Sequence, residues 1–330
     1  MHIALSRGLG VEIIRALLAA DKEGHSVRYE TDQGGRPLHA ALKKKVSTDV
    51  VQLLLEADTR LSIDSSDAEV DVYSYFLGLL PLHIACLSGA SRETISLLLD
   101  KDVEGQTLTM ITMTDSAVRP GALASFKRSL SASLSRGSLQ QKIALHLALA
   151  HSSDDTIRLL LHRAEMLGES DDSVFRKDTK DRHALHLACI NNVSPDIIAM
   201  LLKIDSEKQT VVMSDRNRMK PIHYACQHRY AKNKSIALLL NAEKRYNALH
   251  STKAISSTDR SSRTNTPLWY ACTSGAPPDV LELLMSQPNF NLRGFDRRSI
   301  KKELADAIKE NPPLQILLNN KLANRANVVR

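Results

Sequence analysis

Short apolar stretches of helical period recur along this chain, separated by polar stretches that break the pattern. The opening, MHIALSRGLGVEIIRALLAAD, contains the whole motif. Ile13 and Ile14 are followed by Leu17 and Leu18, and offsets of three and four place all of these on one stripe of a helix. The same arrangement returns at Val50/Val51 with Leu54/Leu55 and at Ile197/Ile198 with Leu201/Leu202. Ahead of each stripe lies a shorter segment built around one residue. Six stretches echo the opening: PLHAALKKKVSTDVVQLLL, PLHIACLSGASRETISLLL, ALHLALAHSSDDTIRLLL, ALHLACINNVSPDIIAMLL, PIHYACQHRYAKNKSIALLL and PLWYACTSGAPPDVLELLM. The anchors are His2, His39, His83, His146, His186, His223 and Trp269, spaced by 37, 44, 63, 40, 37 and 46 residues. A degenerate copy, LADAIKENPPLQILL, has Ala305 at the anchor position.

Two residues after each anchor stands alanine: Ala4, Ala41, Ala85, Ala148, Ala188, Ala225 and Ala271. Six after it stands Gly8, Gly89, Asn192 or Gly275 in four copies, residues that tolerate the left-handed backbone ending a short helix. Each copy is therefore expected to form a short, Ala-rich helix, a tight turn and a longer amphipathic helix. The narrow first helix lets neighbouring copies stack closely.

With PLHAA, PLHIA, ALHLA, ALHLA and PIHYA, the chain resembles the ankyrin repeat family, whose signature is T-P-L-H-x-A at a period of about 33 residues. The resemblance implies an all-α repeat solenoid, an ankyrin helix-turn-helix stack with short β-hairpin or turn fingers. It covers repeats at about residues 1–24, 34–58, 78–102, 142–166, 182–206, 218–243, 264–288 and 300–320, within a single array over 1–320 and ahead of a C-terminal tail at 321–330. Three features depart from the family. The threonine three residues before the histidine is replaced by Arg36, Leu80, Ile143, His183 and Lys220, and Thr266 alone fits, ahead of Trp269. The buried histidines are therefore expected to bond backbone carbonyls. Gly34 and Asp215 match the finger, whereas Arg218 occupies a glycine position. Most repeats are also longer than the family's period.

The extra length falls between repeats, at 59–77, 103–141 and 244–263. Residues 106–114, QTLTMITMT, alternate as a β-hairpin arm would. SFKRSLSASLSRGSL follows and reads as a solvated, Ser-rich loop. A sharper alternative is phosphorylation of Ser131, three residues after Arg128. Residues 59–77 are acidic and 244–263 basic, and NALHS around His250 mimics an anchor without a Leu-Leu pair behind it.

Composition narrows the chemistry. The 330 residues carry a net charge of +7, and the pI of about 9.2 tilts the surface toward anionic partners. Aromatics make up only 4%, too few for the stacking platforms of single-stranded nucleic acid, so nucleic acid is not the expected partner. No apolar run reaches a membrane-spanning length of about 20 residues, and no secretory signal is present. Cys86, Cys189, Cys226 and Cys272 all stand three residues after an anchor. One slot in four different repeats suits a small buried residue, whereas zinc would need the thiolates converged at about 2.3 Å. The four widely separated cysteines imply a reducing, intracellular site, cytoplasmic or nuclear. No GxSxG, P-loop, HExxH or CxxC motif occurs, and no enzyme activity, metal or cofactor is expected.

In the family the resembling positions four and five residues after the anchor, together with the finger, contact partners. Here these are Ser6/Arg7, Lys43/Lys44, Leu87/Ser88, Ala150/His151, Ile190/Asn191, Gln227/His228 and Thr273/Ser274, with finger residues Lys180, Arg182, Arg216, Met219, Arg263 and Asn265. The resemblance thus implies a monomeric, non-enzymatic scaffold or adaptor. Its candidate partner-binding residues are Arg7, Lys43, Lys44, Lys180, Arg182, Arg216, Met219, His228, Arg263 and Asn265, nearly free of acids and suited to an acidic protein segment. Lys43–Lys45 could alternatively serve nuclear import, or simply be a solvated repeat face. A second functional reading is the regulatory ankyrin module of a larger channel, kinase or ubiquitin-ligase receptor. The start at Met1, inside a repeat and without a finger before it, suits a fragment or a short N-terminal cap.

Overall fold

A computed structural model describes residues 1–21, 24–31, 35–63, 79–102, 106–110, 143–168, 170–249 and 266–287. The chain forms two compact blocks, Met1–Thr179 and Lys180–Arg330. Repeats anchored at His2, His39, His83 and His146 build the first; those at His186, His223 and Trp269 build the second.

Each repeat is a helix pair. The first helices are His2–Ser6, Pro37–Lys44, Pro81–Ser88, Ala144–His151, Ala184–Ile190, Pro221–Cys226 and Pro267–Ser274. Proline opens four of them, where its missing N–H would have no partner in any case. The second helices are Val11–Ala20, Thr48–Ile63, Arg92–Lys101, Asp154–Leu167, Pro195–Ile204, Asn233–Leu249 and Pro278–Met285. Their first turns carry Glu12, Asp49, Glu93, Asp154, Asp155, Asp196 and Asp279, which offset the positive end of the helix dipole. Ser91 and Ser153 cap two of them by accepting from Thr94 N and Thr156 N.

The turn between the two helices follows the sequence rule, and its exceptions are informative. Six residues after the anchor, Gly8, Lys45, Gly89, Asn192 and Gly275 all take positive φ. The two repeats without such a residue differ in length between anchor and second-helix stripe: the His146 repeat is one residue shorter, and the His223 repeat one longer. Only Gly89 is also demanded by space, because a Cβ there would sit 2.7 Å from the His151 carbonyl oxygen.

The anchor histidines do the work of the missing threonine. Nδ1 of His39, His83, His186 and His223 accepts from the backbone N–H at the helix start, of Arg36 (3.1 Å), Leu80 (3.2 Å), His183 (3.3 Å) and Lys220 (2.9 Å). Nε2 then carries the proton toward a carbonyl: His2 to Tyr29 (2.8 Å), His83 to Met110 (3.0 Å) and His186 to Met219 (3.1 Å). The expected carbonyl bonds are therefore present at these three anchors. In the Trp269 repeat, Thr266 Oγ1 accepts from Trp269 N at 3.2 Å. Around these anchors the alanine column is buried throughout.

Part of the extra length is a third, short helix: His25–Arg28, Gln106–Thr109, Ser170–Phe175 and Gln209–Val212. This corrects the expected β-hairpin arm, because QTLT is helical. The cause lies just upstream. The second helix ends on Asp21, Asp102 or Asp205, whose carboxylate accepts from the backbone N–H five residues on: Ser26 (2.6 Å), Thr107 (2.8 Å) and Thr210 (2.8 Å). The hydroxyls of Thr107 and Thr210 donate to the same carboxylates. Val27, Leu108, Val174 and Val211 bury the inner side of the short helix. In two repeats this helix leads directly to the carbonyl that the histidine bonds, Tyr29 and Met110, 27 residues after the anchor in both. The outer insertions begin as helix too: residues 59–63 extend Thr48–Ile63, and 244–249 extend Asn233–Leu249. The remainder of the insertions, the repeat at 300–320 and the tail at 321–330 lie outside the described residues, as do Gly34 and His250.

The first repeat differs from the others in burial. Ile13 is 47% exposed and Leu17 39%. Their counterparts Val50, Thr94, Thr156, Ile197, Ser235 and Val280, and Leu54, Leu98, Leu160, Leu201, Leu239 and Leu284, are all buried.

Candidate partner-binding surface

In the first block the candidate residues cluster at one end of two neighbouring first helices. Helix His2–Ser6 packs beside Pro37–Lys44, so Arg7, just past the end of one, lies at the same end as Lys43 and Lys44 of the other. Arg7 and Lys44 are exposed, as is Lys45, and Lys43 is half-buried. Burial, and then the adjacent Lys44 charge, push the Lys43 ammonium below its ordinary pKa. An approaching anion would offset the Lys44 repulsion and favour the charged ammonium. The next two repeats offer no such charge: Leu87 and Ser88 are buried, and Ala150 and His151 are half-buried. The turn of the His146 repeat is tied back instead, with Ser152 Oγ donating to the Cys86 carbonyl at 3.1 Å.

In the second block the finger residues are held in a network. Arg216 is exposed and pairs with Asp181 at 3.1 Å, while its backbone N–H donates to the Lys180 carbonyl at 3.0 Å. Lys180 is exposed and Arg182 half-buried beside them. Arg218 takes φ +59°, so the glycine position of the finger is occupied by arginine in the left-handed region. Asp215 organises the tip: Oδ1 accepts from Asn217 N (2.8 Å) and Met219 N (2.9 Å), and Oδ2 from the Tyr224 hydroxyl (2.5 Å). Burial, together with that carboxylate, pushes the Tyr224 phenol up to about 12. One expected contact residue is placed differently. Met219 is buried, 4% exposed, with its N–H on Asp215 and its carbonyl on His186, so its side chain offers nothing to a partner.

His228 is half-buried, and its Nε2 bonds the Cys189 carbonyl at 2.8 Å, which makes it a brace between repeats. Arg229 and Tyr230 beside it are exposed, and the sequence reading passed over both. The signal was available: this turn is one residue longer than the common length and lacks the left-handed residue at its end. Arg263, Asn265 and Ser131 lie outside the described residues.

The repeated histidines and cysteines are built for packing. Burial holds His83 and His186 at about 4, so both are neutral at pH 7. Burial pushes the Cys86 and Cys272 thiols up to about 12 and those of Cys189 and Cys226 upward as well. A protonated, buried thiol is a poor nucleophile and a poor ligand. Among the described residues no helix is long and apolar enough to cross a membrane.

A family model described as ankyrin repeats, in three copies, matches residues 145–250. None of the curated proteins matches the chain in sequence. Among solved structures, the ankyrin repeat domain of Bcl-3 is similar at 20% identity and a TM-score of 0.45, covering 86% of this chain and 97% of that one. The human ASB11 ankyrin repeat domain is similar at 17% identity and a TM-score of 0.47, covering 88% of this chain and 98% of that one.

Proposed function

The chain carries ankyrin repeats, and we propose that it acts as a non-enzymatic scaffold or adaptor that binds an acidic segment of a partner protein. Ankyrin repeats are generally protein–protein interaction modules. Arg7, Lys43 and Lys44 form the contact in the first block, and Lys180, Arg182 and Arg216 a contact in the second. The observation that carries this reading is the Lys43–Lys44–Lys45 run beside Arg7, with Lys43 crowded enough to lose basicity. Such a patch attracts anionic partners over about a Debye length, roughly 8 Å at physiological salt, and its effect weakens as salt rises. The adaptor works in a reducing intracellular compartment, a placement supported by four free, buried cysteines.

The test is a pull-down with the full chain as bait, against the variants Lys43→Glu/Lys44→Glu and Arg182→Glu. Partner recovery should drop for the double variant and fall further when Arg182→Glu is added. Recovery equal to wild type in all of them would defeat the proposal.

A further inference from the structure

The loop Gln227–Lys232 is a second candidate docking element, and its geometry is specific to one repeat. It joins helix Pro221–Cys226 to helix Asn233–Leu249, with one residue more between anchor and apolar stripe than the common length. An added residue in a tight turn normally makes a looser turn. Here the loop is fastened to the preceding repeat along its length. His228 Nε2 bonds the Cys189 carbonyl (2.8 Å), and Asn192 Nδ2 donates to the Tyr230 carbonyl (3.2 Å). Lys232 Nζ donates to the carbonyls of Asn192 (2.8 Å) and Val193 (3.1 Å). The backbone that carries Tyr230 is therefore fixed from both sides.

On this fixed backbone the Tyr230 side chain stands 78% exposed, and Arg229 and Gln227 are exposed with it. A large aromatic side chain in water gives the free protein little. Held on a braced turn, it presents apolar area whose backbone ordering cost has already been met, and tyrosine and arginine are among the residue types that dominate interface energetics. The loop and the helix that follows it carry charge of one sign over sixteen residues. From Gln227 to Ala242 the chain carries His228, Arg229, Lys232 and Lys234 and no acid. In the packed helices Asp196 pairs with Lys234 (3.1 Å) and Asp279 accepts from Asn233 (2.8 Å). Arg229 has no ionic partner among the described residues.

We propose that Arg229 and Tyr230 form a docking element for an extended peptide segment that carries a carboxylate next to an apolar side chain. The guanidinium pairs the carboxylate, and the tyrosine ring covers the apolar neighbour. The proposal rests on the reading of this chain as a protein-binding module, but not on the Lys43–Lys44 patch.

Random twelve-residue peptides displayed on phage, selected against the immobilised full chain, supply the probe. Enriched peptides are then synthesised with a fluorophore and titrated by anisotropy. The expected consensus pairs Asp or Glu with a neighbouring apolar residue. Arg229→Glu and Tyr230→Ala should each weaken binding at least about tenfold. Arg229→Lys should lose less, and Tyr230→Phe should keep most of the affinity. Because both side chains are exposed, all variants should melt with wild type. If Tyr230→Ala melts early, the comparison of Tyr230→Phe with Arg229→Glu decides. The proposal is overturned if no peptide is enriched, if the consensus lacks acids, or if affinity is indifferent to Arg229→Glu. Peptides lost with Lys43→Glu/Lys44→Glu, but not with Arg229→Glu, would overturn it while supporting the basic patch as the binding site.

Discussion

Mild acid should loosen the second block through His186. Its ring is buried, accepts from His183 N and donates to the Met219 carbonyl, an arrangement that needs the neutral form with the proton on Nε2. Burial, reinforced by the neighbouring His183, lowers its pKa from 6.5 to about 4. In the unfolded chain the imidazole regains an ordinary value near 6.5. Between those two values the unfolded state binds one proton more than the folded state, so stability falls as pH falls. For one such group the loss is about 2 kcal/mol between pH 7 and pH 5 and about 3 kcal/mol by pH 4, where the curve flattens. Trp269 is the sole tryptophan and lies in the same block, so urea unfolding followed by its fluorescence reports on this region. The midpoint should move steadily to lower urea from pH 6.5 to 4.5. His186→Gln removes the titrating group and should flatten the dependence by about 1.4 kcal/mol per pH unit, while costing stability at pH 7. Lowered carboxylates do not mimic this effect: Asp21, held down chiefly by its bond to the Ser26 side chain, loses its contribution only below its ordinary value of 3.8. A midpoint that stays constant from pH 7 to pH 5, or a His186→Gln variant with an unchanged slope, would refute the reasoning.

Two further outcomes follow from the repeat construction. Asp205→Ala removes a buried carboxylate that accepts from Gln209 N, Thr210 N and Thr210 Oγ1, leaving donors without partners at a cost of about 1–3 kcal/mol each. Amides 209–212 should then exchange faster by hydrogen-exchange mass spectrometry, and unaltered protection there would show that the carboxylate does not hold the short helix. Leu201→Ala should cost about 2–5 kcal/mol and raise exchange in the His186 and His223 repeats before the Trp269 repeat. A uniform loss over all three would show that the block unfolds as one body.

Much of this architecture is legible in the sequence because the same physical demand is written several times. A single PLHIA could arise by chance. A histidine followed by alanine, a left-handed turn residue and a Leu-Leu pair, all in register, leaves one solution for the helix pair. The histidine bonds follow from the same logic: with Leu80 in the threonine position, only the ring and the backbone remain to satisfy the helix start, and Nδ1 of His83 does so. What escaped were features with one or few copies and a non-periodic signal. The third helix is set by an aspartate and a hydroxyl residue five positions later, a side chain–backbone contact that hydrophobic periodicity does not register. In QTLT the alternation suggests a strand, but Asp102 captures Thr107 and turns the segment into helix. Met219 departs from its expected place for a related reason. Its position in the repeat points to a contact role, whereas the Asp215 hub and the His186 bond draw its backbone inward.

The two irregular turns show how a repeat protein separates stacking from recognition. Where the turn has its common length, a left-handed residue closes it. In the His146 repeat one residue is lost, and Ser152 ties the turn down on Cys86. In the His223 repeat one residue is gained, and three side chains, His228 and Lys232 of the loop and Asn192 of the preceding repeat, fasten what the turn no longer closes by itself. The helices flanking both turns keep their buried alanine and leucine columns, so neither length change disturbs the stack. Variation is confined to a place where the backbone can be re-anchored by side chains, and that is also where the exposed arginine and tyrosine stand. A chain built this way can alter what it binds at one turn without altering how it folds.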